Sequence, residues 1–415
     1  MMKQYIGWYF ISISMGVFCQ SPSKTVLFVG NNDQTDGIGS VVYALQKYAP
    51  HSLQGDAPLF FTEDMNYLFP VEHAQKQYDF LFFTYPLVFP FPVNSCLYDT
   101  TIAKIKIACS VIEMDAIPRD WVTLLNEQFD AVVVPDPYLV AVYKNSGVVK
   151  PIFCIPQGIL VKDYCTKDYA HHTYEEKGAP FTFGVSARNY PHKNLVKLME
   201  AFHEEFGNDE QFRLCVHAKD DLHLNDGLAE YVADVNAKNI IVTSDVLSRS
   251  DYIAFINSLD CYVLISRGEG FSVTPREAMA LGIPCILSNN TAHTTICKTG
   301  CVYAIECPIK QPCFWIPVLD TVGNDFDCYK DDVKKALRDV YLHYEYYYKR
   351  AQRPRSRLWA MSFEWEELVP LYETLFNPAR VVLADRDYIE EKVMYTTSKA
   401  LVEKYEALGI HKTSE

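Results

Sequence analysis

The chain has 415 residues, 49% of them hydrophobic and 22% charged, and its 38 Lys and Arg against 52 Asp and Glu leave a net charge of −14. This length exceeds one ordinary core, so two domains are expected, and the composition excludes a disordered or low-complexity chain. The acidic excess repels a nucleic-acid backbone and argues against a nucleic-acid partner, whereas a small phosphate ligand needs only one or two cations.

Residues 1–23 form an opening segment in which Tyr5–Cys19 is apolar and only Lys3 precedes it as a positive charge. Some fifteen residues are short for a spanning helix. They suit a signal-peptide core or a membrane-surface contact about equally. From residue 24 onward, short apolar runs alternate with amphipathic stretches, the signature of parallel α/β units. Thr25–Gly30, Leu59–Thr62, Asp79–Tyr85, Lys104–Ile112, Ala131–Pro135 and Pro151–Ile159 read as strands. Their continuous β-branched and aromatic character suits strands buried on both faces. Val41–Tyr48, Trp121–Asp130 and Tyr138–Ser146 read as helices between them. Residues 160–179 are polar and charged and are expected to link two domains.

A second series follows, with strands at Phe181–Ala187, Phe212–Ala218, Asn239–Ser244, Asp260–Ser266 and Pro284–Leu287 and an amphipathic helix at Asn194–Phe206. After Asp331 the pattern turns helical over Asp331–Arg350, Trp365–Leu375 and Arg386–Ala407. The expected fold class is α/β, with two Rossmann-like domains at 24–159 and 180–362 facing a cleft, and helices over 363–415. In such folds ligands sit beyond the carboxyl ends of the strands. Of the 13 cysteines, seven lie between Cys261 and Cys328, none in a CxxC pair and none beside a His at zinc-finger spacing. Reduced thiols packed as small hydrophobes are therefore expected, and no metal site.

Three loops carry residues suited to chemistry. The first, Asn31–Ser40, places Gly37 and Gly39 before a helix, where backbone amides can meet an anion. The dinucleotide fingerprint fails there because Val42 holds the third glycine position. A plain tight turn explains the loop as well. The second, Ser186–Asn194, carries Arg188 and Lys193 five positions apart on a loop entering a helix. A planar guanidinium and a point-charge ammonium there can converge on a diphosphate, although both could also be solvated. His217 and Lys219 end the next strand and could face the same cleft. The third, Arg267–Pro284, is glycine-rich and is bracketed by two carboxylates eight apart, Glu269 and Glu277. Glu277 could instead close a capping box with Thr274. Glu269 lies in the loop and has no such structural use.

At these residues the chain resembles retaining glycosyltransferases of the GT-B fold, specifically glycosyltransferase family 4 (group 1). GEGFSVTPREAMALGIPCILS is similar to the family's E-x7-E segment, ARNYPHKN to its Arg/Lys phosphate segment, and DGIGSVVYAL to its first Gly-rich loop. Ile112–Ile159 resembles the end of the first domain in part of the family, and Ser362–Phe376 its late helix, which returns toward that domain. The likeness runs from about Lys24 to about Phe376.

The resemblance implies a metal-independent hexosyltransferase-type enzyme that needs no cofactor, retains anomeric configuration and closes on its donor. It implies that Glu277 binds ribose and Glu269 lies at the donor sugar. Backbone amides near Gly270, Phe271 and Ser272 would help hold sugar and phosphate, with Gly37 and Gly39 also on the donor side. Arg188 and Lys193 would neutralise the diphosphate. The implied partners are a nucleoside-diphosphate sugar and a carbohydrate or lipid-linked acceptor. The expected compartment is the cytoplasm, with residues 1–23 as a membrane-surface contact or, alternatively, a secretory signal. The family's histidine after a mid-sheet strand of the first domain has no counterpart in KIKIACSVIEMD, where Glu113 or Asp115 is the candidate for part of its role. A sugar-nucleotide-binding protein of the same fold without transferase activity, a sugar-nucleotide epimerase and a phosphorylase are the alternatives.

Overall fold

The computed structural model describes residues 25–29, 39–48, 55–59, 77–84, 103–165, 174, 178–219, 226–315, 320–376, 388–390 and 393–395. The expectations for residues 1–23 and for Gly37 lie outside these.

The first unit runs β1 (Val26–Val29), α1 (Gly39–Tyr48), β2 (Gly55–Leu59), β3 (Tyr78–Thr84), β4 (Ala103–Cys109), α2 (Arg119–Gln128), β5 (Ala131–Val134), α3 (Pro137–Ser146) and β6 (Ile152–Cys154). Its strands lie in the order β2-β1-β3-β4-β5-β6, all parallel. The central runs are sealed on both faces: Phe80, Phe82, Ile105, Ile107, Val132 and Val133 are all fully buried. Burial on both faces is why Phe80–Phe83 and Ala131–Val134 read as unbroken apolar strings, whereas Lys104 and Lys106 interrupt β4. Helix α3 starts where its sequence says it should. Asp136 accepts from the Tyr138 amide, and Pro137 takes the first helical position, which needs no amide donor.

The second unit runs β7 (Phe181–Arg188), α4 (Leu195–Phe206), β8 (Phe212–Lys219), α5 (Asp226–Asp234), β9 (Ile240–Thr243), α6 (Arg249–Ser258), β10 (Cys261–Leu264), α7 (Val273–Leu281), β11 (Cys285–Asn289), α8 (His293–Cys297) and β12 (Tyr303–Glu306). Its parallel order is β9-β8-β7-β10-β11-β12. Strand addition reverses direction between β7 and β10. The loops leaving their carboxyl ends therefore part and open a crevice, the usual ligand position in a doubly wound sheet. The second and third candidate loops are the ones that leave β7 and β10.

A hairpin that the sequence reading did not anticipate, β13 (Ile309–Trp315) with β14 (Asp320–Asp327), follows β12. Then come α9 (Lys330–Leu342), α10 (Tyr344–Ala351), α11 (Pro354–Met361), α12 (Trp365–Phe376), β15 (Tyr388–Glu390) and β16 (Val393–Tyr395). The single helix expected over Asp331–Arg350 breaks at His343, whose φ of −117° is not helical. The helix expected over Arg386–Ala407 is corrected at its described residues, and the remainder lies outside the described residues. Its described residues form the antiparallel hairpin β15–β16, which adds to β6 with Tyr395 opposite Phe153. The β6 edge offers unpaired backbone groups, and the short aromatic and aliphatic runs YIE and VMY can satisfy them.

Helix α12 carries the chain back to the first unit. The Phe376 ring meets Phe28, Phe80 and Phe82 edge-on at centroid distances of 5.8, 5.5 and 5.7 Å. The segment after β6 runs alongside: Ile159 bridges Glu364, and Glu364 Oε1 accepts the Val161 amide at 2.8 Å. A Cβ on Gly158 would stand 2.2 Å from the fully buried Trp365 ring. Gly158→Ala is therefore expected to destabilise the protein by roughly 1–3 kcal/mol, as overpacked sites do. The check is a lower melting temperature.

Candidate active site

The chain leaving β7 makes a single 3-10 turn, Pro191–Lys193, and then passes through Asn194 in the left-handed region at φ 63°. Asn194 is held there by bonds from its Nδ2 to Asp327 Oδ1 at 2.8 Å and to the Ile265 carbonyl at 3.3 Å. The Arg267 amide donates to the His192 carbonyl at 2.7 Å, which fastens this turn to the loop after β10. The turn drives Lys193 inward, and its ammonium donates to Glu269 Oε1 at 2.8 Å and to Glu113 Oε1 at 2.9 Å. His192 Nε2 stands 2.9 Å from the other Glu113 oxygen. Burial alone would raise Glu113, but His192 and Lys193 outweigh it and hold its carboxyl well below the usual carboxylate range. Burial would lower Lys193, but Glu113 and Glu269 outweigh it and push the ammonium up.

Each carboxylate arrives from a different element. Glu269 lies in the β10–α7 loop, fixed by the Ser266 hydroxyl on its Oε1 and by Thr291 Oγ1 on its amide, both at 2.8 Å. Glu113 belongs to the first unit, four residues past the end of β4. Asp115 does not join this cluster. The hairpin takes it up: the Asn324 amide donates to it at 2.6 Å, and Lys310 pairs with it at 2.9 Å. Of the two acids offered for the missing histidine's place, the fold puts Glu113 alone beside Lys193.

The β10–α7 loop presses directly on the first unit. A Cβ at Gly268 would fall 1.9 Å from the Glu113 carbonyl oxygen, and one at Gly270 would fall 2.4 Å from Val111. Only glycine permits that approach. Phe271 is buried, and Ser272 holds left-handed backbone angles, φ 65° and ψ 79°. For a residue with a side chain that conformation needs outside support. It comes from His293, whose Nε2 is 2.8 Å from the Ser272 hydroxyl. Burial pushes His293 down to about 4, so the ring is neutral near pH 7. Its Nδ1 faces the Ser288 carbonyl at 3.1 Å and carries the proton, leaving Nε2 to accept from Ser272.

Glu277 sits at the middle of α7, and its capping alternative is corrected. The helix begins at Val273, Ser272 occupies the cap position, and no side-chain cap bond forms. Thr274 Oγ1 instead lies 2.6 Å from the Tyr262 hydroxyl. Glu277 is nevertheless buried, with Arg249 Nη2 on Oε1 and the Tyr252 hydroxyl on Oε2, both at 2.7 Å. Arg249 also donates from Nε and Nη2 to the Leu160 carbonyl at 3.1 and 2.7 Å. Lys193, Glu269 and Glu113 thus form one cluster, and Glu277 belongs to a second with Arg249 and Tyr252. Arg188 ends β7 beside Lys219 of β8, half-buried. His217, two residues before Lys219 on β8, bonds to Ser186 at 2.9 Å and to the Asp245 carbonyl at 2.9 Å. Gly39 opens α1.

The sequence reading did not single out Arg249, Tyr252 or Arg276. Arg249 and Tyr252 look like an ordinary amphipathic helix start. Arg276 stands directly before Glu277 in the stretch Phe271–Leu281, which also holds Ser272 and Thr274, so no local pattern marks it as a buried cation. The eleven cysteines among the described residues are all free thiols. Among the described residues no group of three metal-binding side chains occurs, and no helix is long and apolar enough to cross a membrane.

Two Rossmann-like sheets joined by a returning C-terminal helix define the GT-B architecture, and solved structures bear this out. A Thermosynechococcus elongatus sucrose-phosphate synthase superposes with a TM-score of 0.62 at 13% identity, covering 86% of this chain and 98% of that one. Anabaena HepE, solved with UDP and glucose, gives 0.61 at 12% identity, covering 85% of this chain and 99% of that one. A Rickettsia africae glycosyltransferase gives 0.60 at 15% identity, covering 86% and 99%. Residues 180–309 match the family model described as glycosyl transferases group 1. The Staphylococcus aureus capsular polysaccharide biosynthesis glycosyltransferase CapM is 22% identical over 198 residues, 48% of this chain and 47% of CapM. The chain thus matches about half the length of that curated relative.

Proposed function

We propose that this chain is a retaining, metal-independent glycosyltransferase that moves a hexose from a nucleoside-diphosphate sugar to a carbohydrate or lipid-linked acceptor. The observation that carries the reading is the placement of Lys193. It is a buried cation at the switch point of a doubly wound sheet, in the group 1 segment, paired with Glu269 and with a Glu113 carboxylate that a phosphate can displace.

In this reading the donor diphosphate replaces Glu113 on Lys193 and also meets Arg188. The bond from the sugar's anomeric carbon to the β-phosphate oxygen breaks. The acceptor hydroxyl oxygen bonds to that carbon, and its proton passes to the departing β-phosphate oxygen. Charge building on the departing diphosphate is met by Lys193, Arg188 and the amides near Gly270, Phe271 and Ser272, groups that need no reorganisation at that moment. Glu269, held by Ser266, faces the sugar. Glu277 takes the ribose hydroxyls, oriented by Arg249 and Tyr252. Glu113, released from Lys193, would then be a first-unit carboxylate beside the diphosphate site. Resident cations would take the place of a divalent ion, and this supports the metal-independent reading.

HepE was solved with UDP and glucose, and an Escherichia coli trehalose-6-phosphate protein with UDP-2-fluoro glucose, so uridine diphosphosugars are the first donors to assay. Uridine, guanosine and adenosine diphosphosugars should be compared by thermal shift, because a ligand of the folded state raises its melting temperature. Incubation with donor and acceptor should then release nucleoside diphosphate, with undiminished turnover in EDTA. Strict metal dependence would overturn the metal-independent reading. Tight donor binding without transfer to any acceptor would favour a binding protein, and an altered sugar nucleotide from donor alone an epimerase.

A further inference from the structure

Arg276 is fully buried, a costly place for a guanidinium, and the first unit helps to meet that cost. Its Nη1 donates to the Phe271 carbonyl and, at 3.0 Å, to the Ser272 carbonyl. Its Nη2 lies 3.5 Å from Oδ2 of Asp136, itself fully buried at the start of α3. Asp136 Oδ1 accepts from Thr295 of α8 at 3.0 Å, a second link between the units. The guanidinium carbon stands 3.7 Å from the Phe271 ring centre and 4.9 Å from that of Phe363. Arg276 Nε has no hydrogen-bond partner among the described residues. One cation therefore holds two carbonyls of the donor loop with one amino group and reaches across to the other unit with the second.

We propose that Arg276 is a positioning residue that couples closure of the two units to the shape of the donor loop, with Asp136 as its latch. If the units part, Asp136 leaves. The guanidinium then remains among Phe271, Phe363 and Trp359 with two neutral carbonyls only, so the closed arrangement is favoured. With Asp136 in place, the charge is balanced and the Phe271 and Ser272 carbonyls stay turned toward Arg276. That turn leaves the loop amides to the cleft. The proposal rests on the donor-site reading above and adds to it the device that shapes the loop.

The test uses the full chain. Asp136→Asn keeps an oxygen for Tyr138 and Thr295 but turns an amide toward Arg276; Arg276→Met keeps much of the side-chain volume and removes the charge. Hydrogen exchange is followed at residues 271–276 and 293–298, with and without uridine diphosphate, and donor KM and kcat are measured. The expected result for Asp136→Asn is at least about tenfold faster exchange at both segments. Donor KM should rise about tenfold, and kcat should stay within about threefold. A purely structural role would lower the active fraction, reducing kcat at unchanged KM. Unchanged exchange and unchanged donor KM in Asp136→Asn would overturn the proposal, whether or not Arg276→Met folds. Exchange reads the latch without turnover. Faster exchange in a chain whose parent transfers no sugar would leave the latch standing and sink the transferase reading.

Discussion

Lys193→Ala is expected to reduce sugar transfer by about two orders of magnitude or more, the scale seen when a preorganised electrostatic group is lost. The same change should also destabilise the fold, because it leaves Glu113 and Glu269 facing each other without their shared cation. Removing one partner from a buried ion cluster costs about 3–5 kcal/mol. The two effects separate in the pair Lys193→Ala with Glu113→Gln. Deleting one of the facing charges should restore much of the melting temperature while transfer stays low. The pH dependence has a fixed sign. Glu113 is held below its ordinary value near 4.5, so its contribution is full above that value and is lost as the pH falls below it. Acid unfolding of Lys193→Ala should therefore lack part of the wild-type dependence. A folded Lys193→Ala chain that turns over at the wild-type rate would remove Lys193 from the donor site.

Glu277→Ala is expected to lower kcat/KM by about two orders of magnitude as well, but with the loss concentrated in donor KM. Contacts to the ribose are made equally before and during transfer, so losing them weakens binding more than it slows the chemical step. The cost to stability should be smaller than for Lys193→Ala. Arg249 is partly exposed and keeps the Leu160 carbonyl, and Tyr252 loses one hydrogen bond. A thermal-shift titration with uridine diphosphate checks this directly, since the stabilisation per unit of ligand should fall in the variant. Wild-type donor KM in a folded Glu277→Ala chain would assign Glu277 a structural role beside Arg249.

Much of the fold is legible in the sequence. The buried parallel strands announce themselves because burial on both faces leaves no polar positions, as in Ala131–Val134 and Cys261–Leu264. Loops that follow such strands were also recognisable, so Lys193 and Glu269 could be named together, and they meet at 2.8 Å. The misses share a cause. The β13–β14 hairpin and the β15–β16 strands are short and polar in places, and their pairing partners are set by space rather than by local pattern. Glu277 fitted a capping box in one dimension, but the helix starts earlier than the Thr-Pro pair suggests, because Ser272 is pinned in a left-handed turn by His293 and Arg276.

The sequence by itself determined two α/β units, the loops that face the cleft, and the acidic and basic residues offered there, because periodicity and turn chemistry are local properties of the chain. Only the tertiary structure decided which charges pair. Glu113 lies 80 residues from Lys193 and Asp136 lies 140 from Arg276, and each pair is joined across the two units. Coulomb attraction between buried groups depends on separation and on the exclusion of water, and neither is encoded at any one position in the chain.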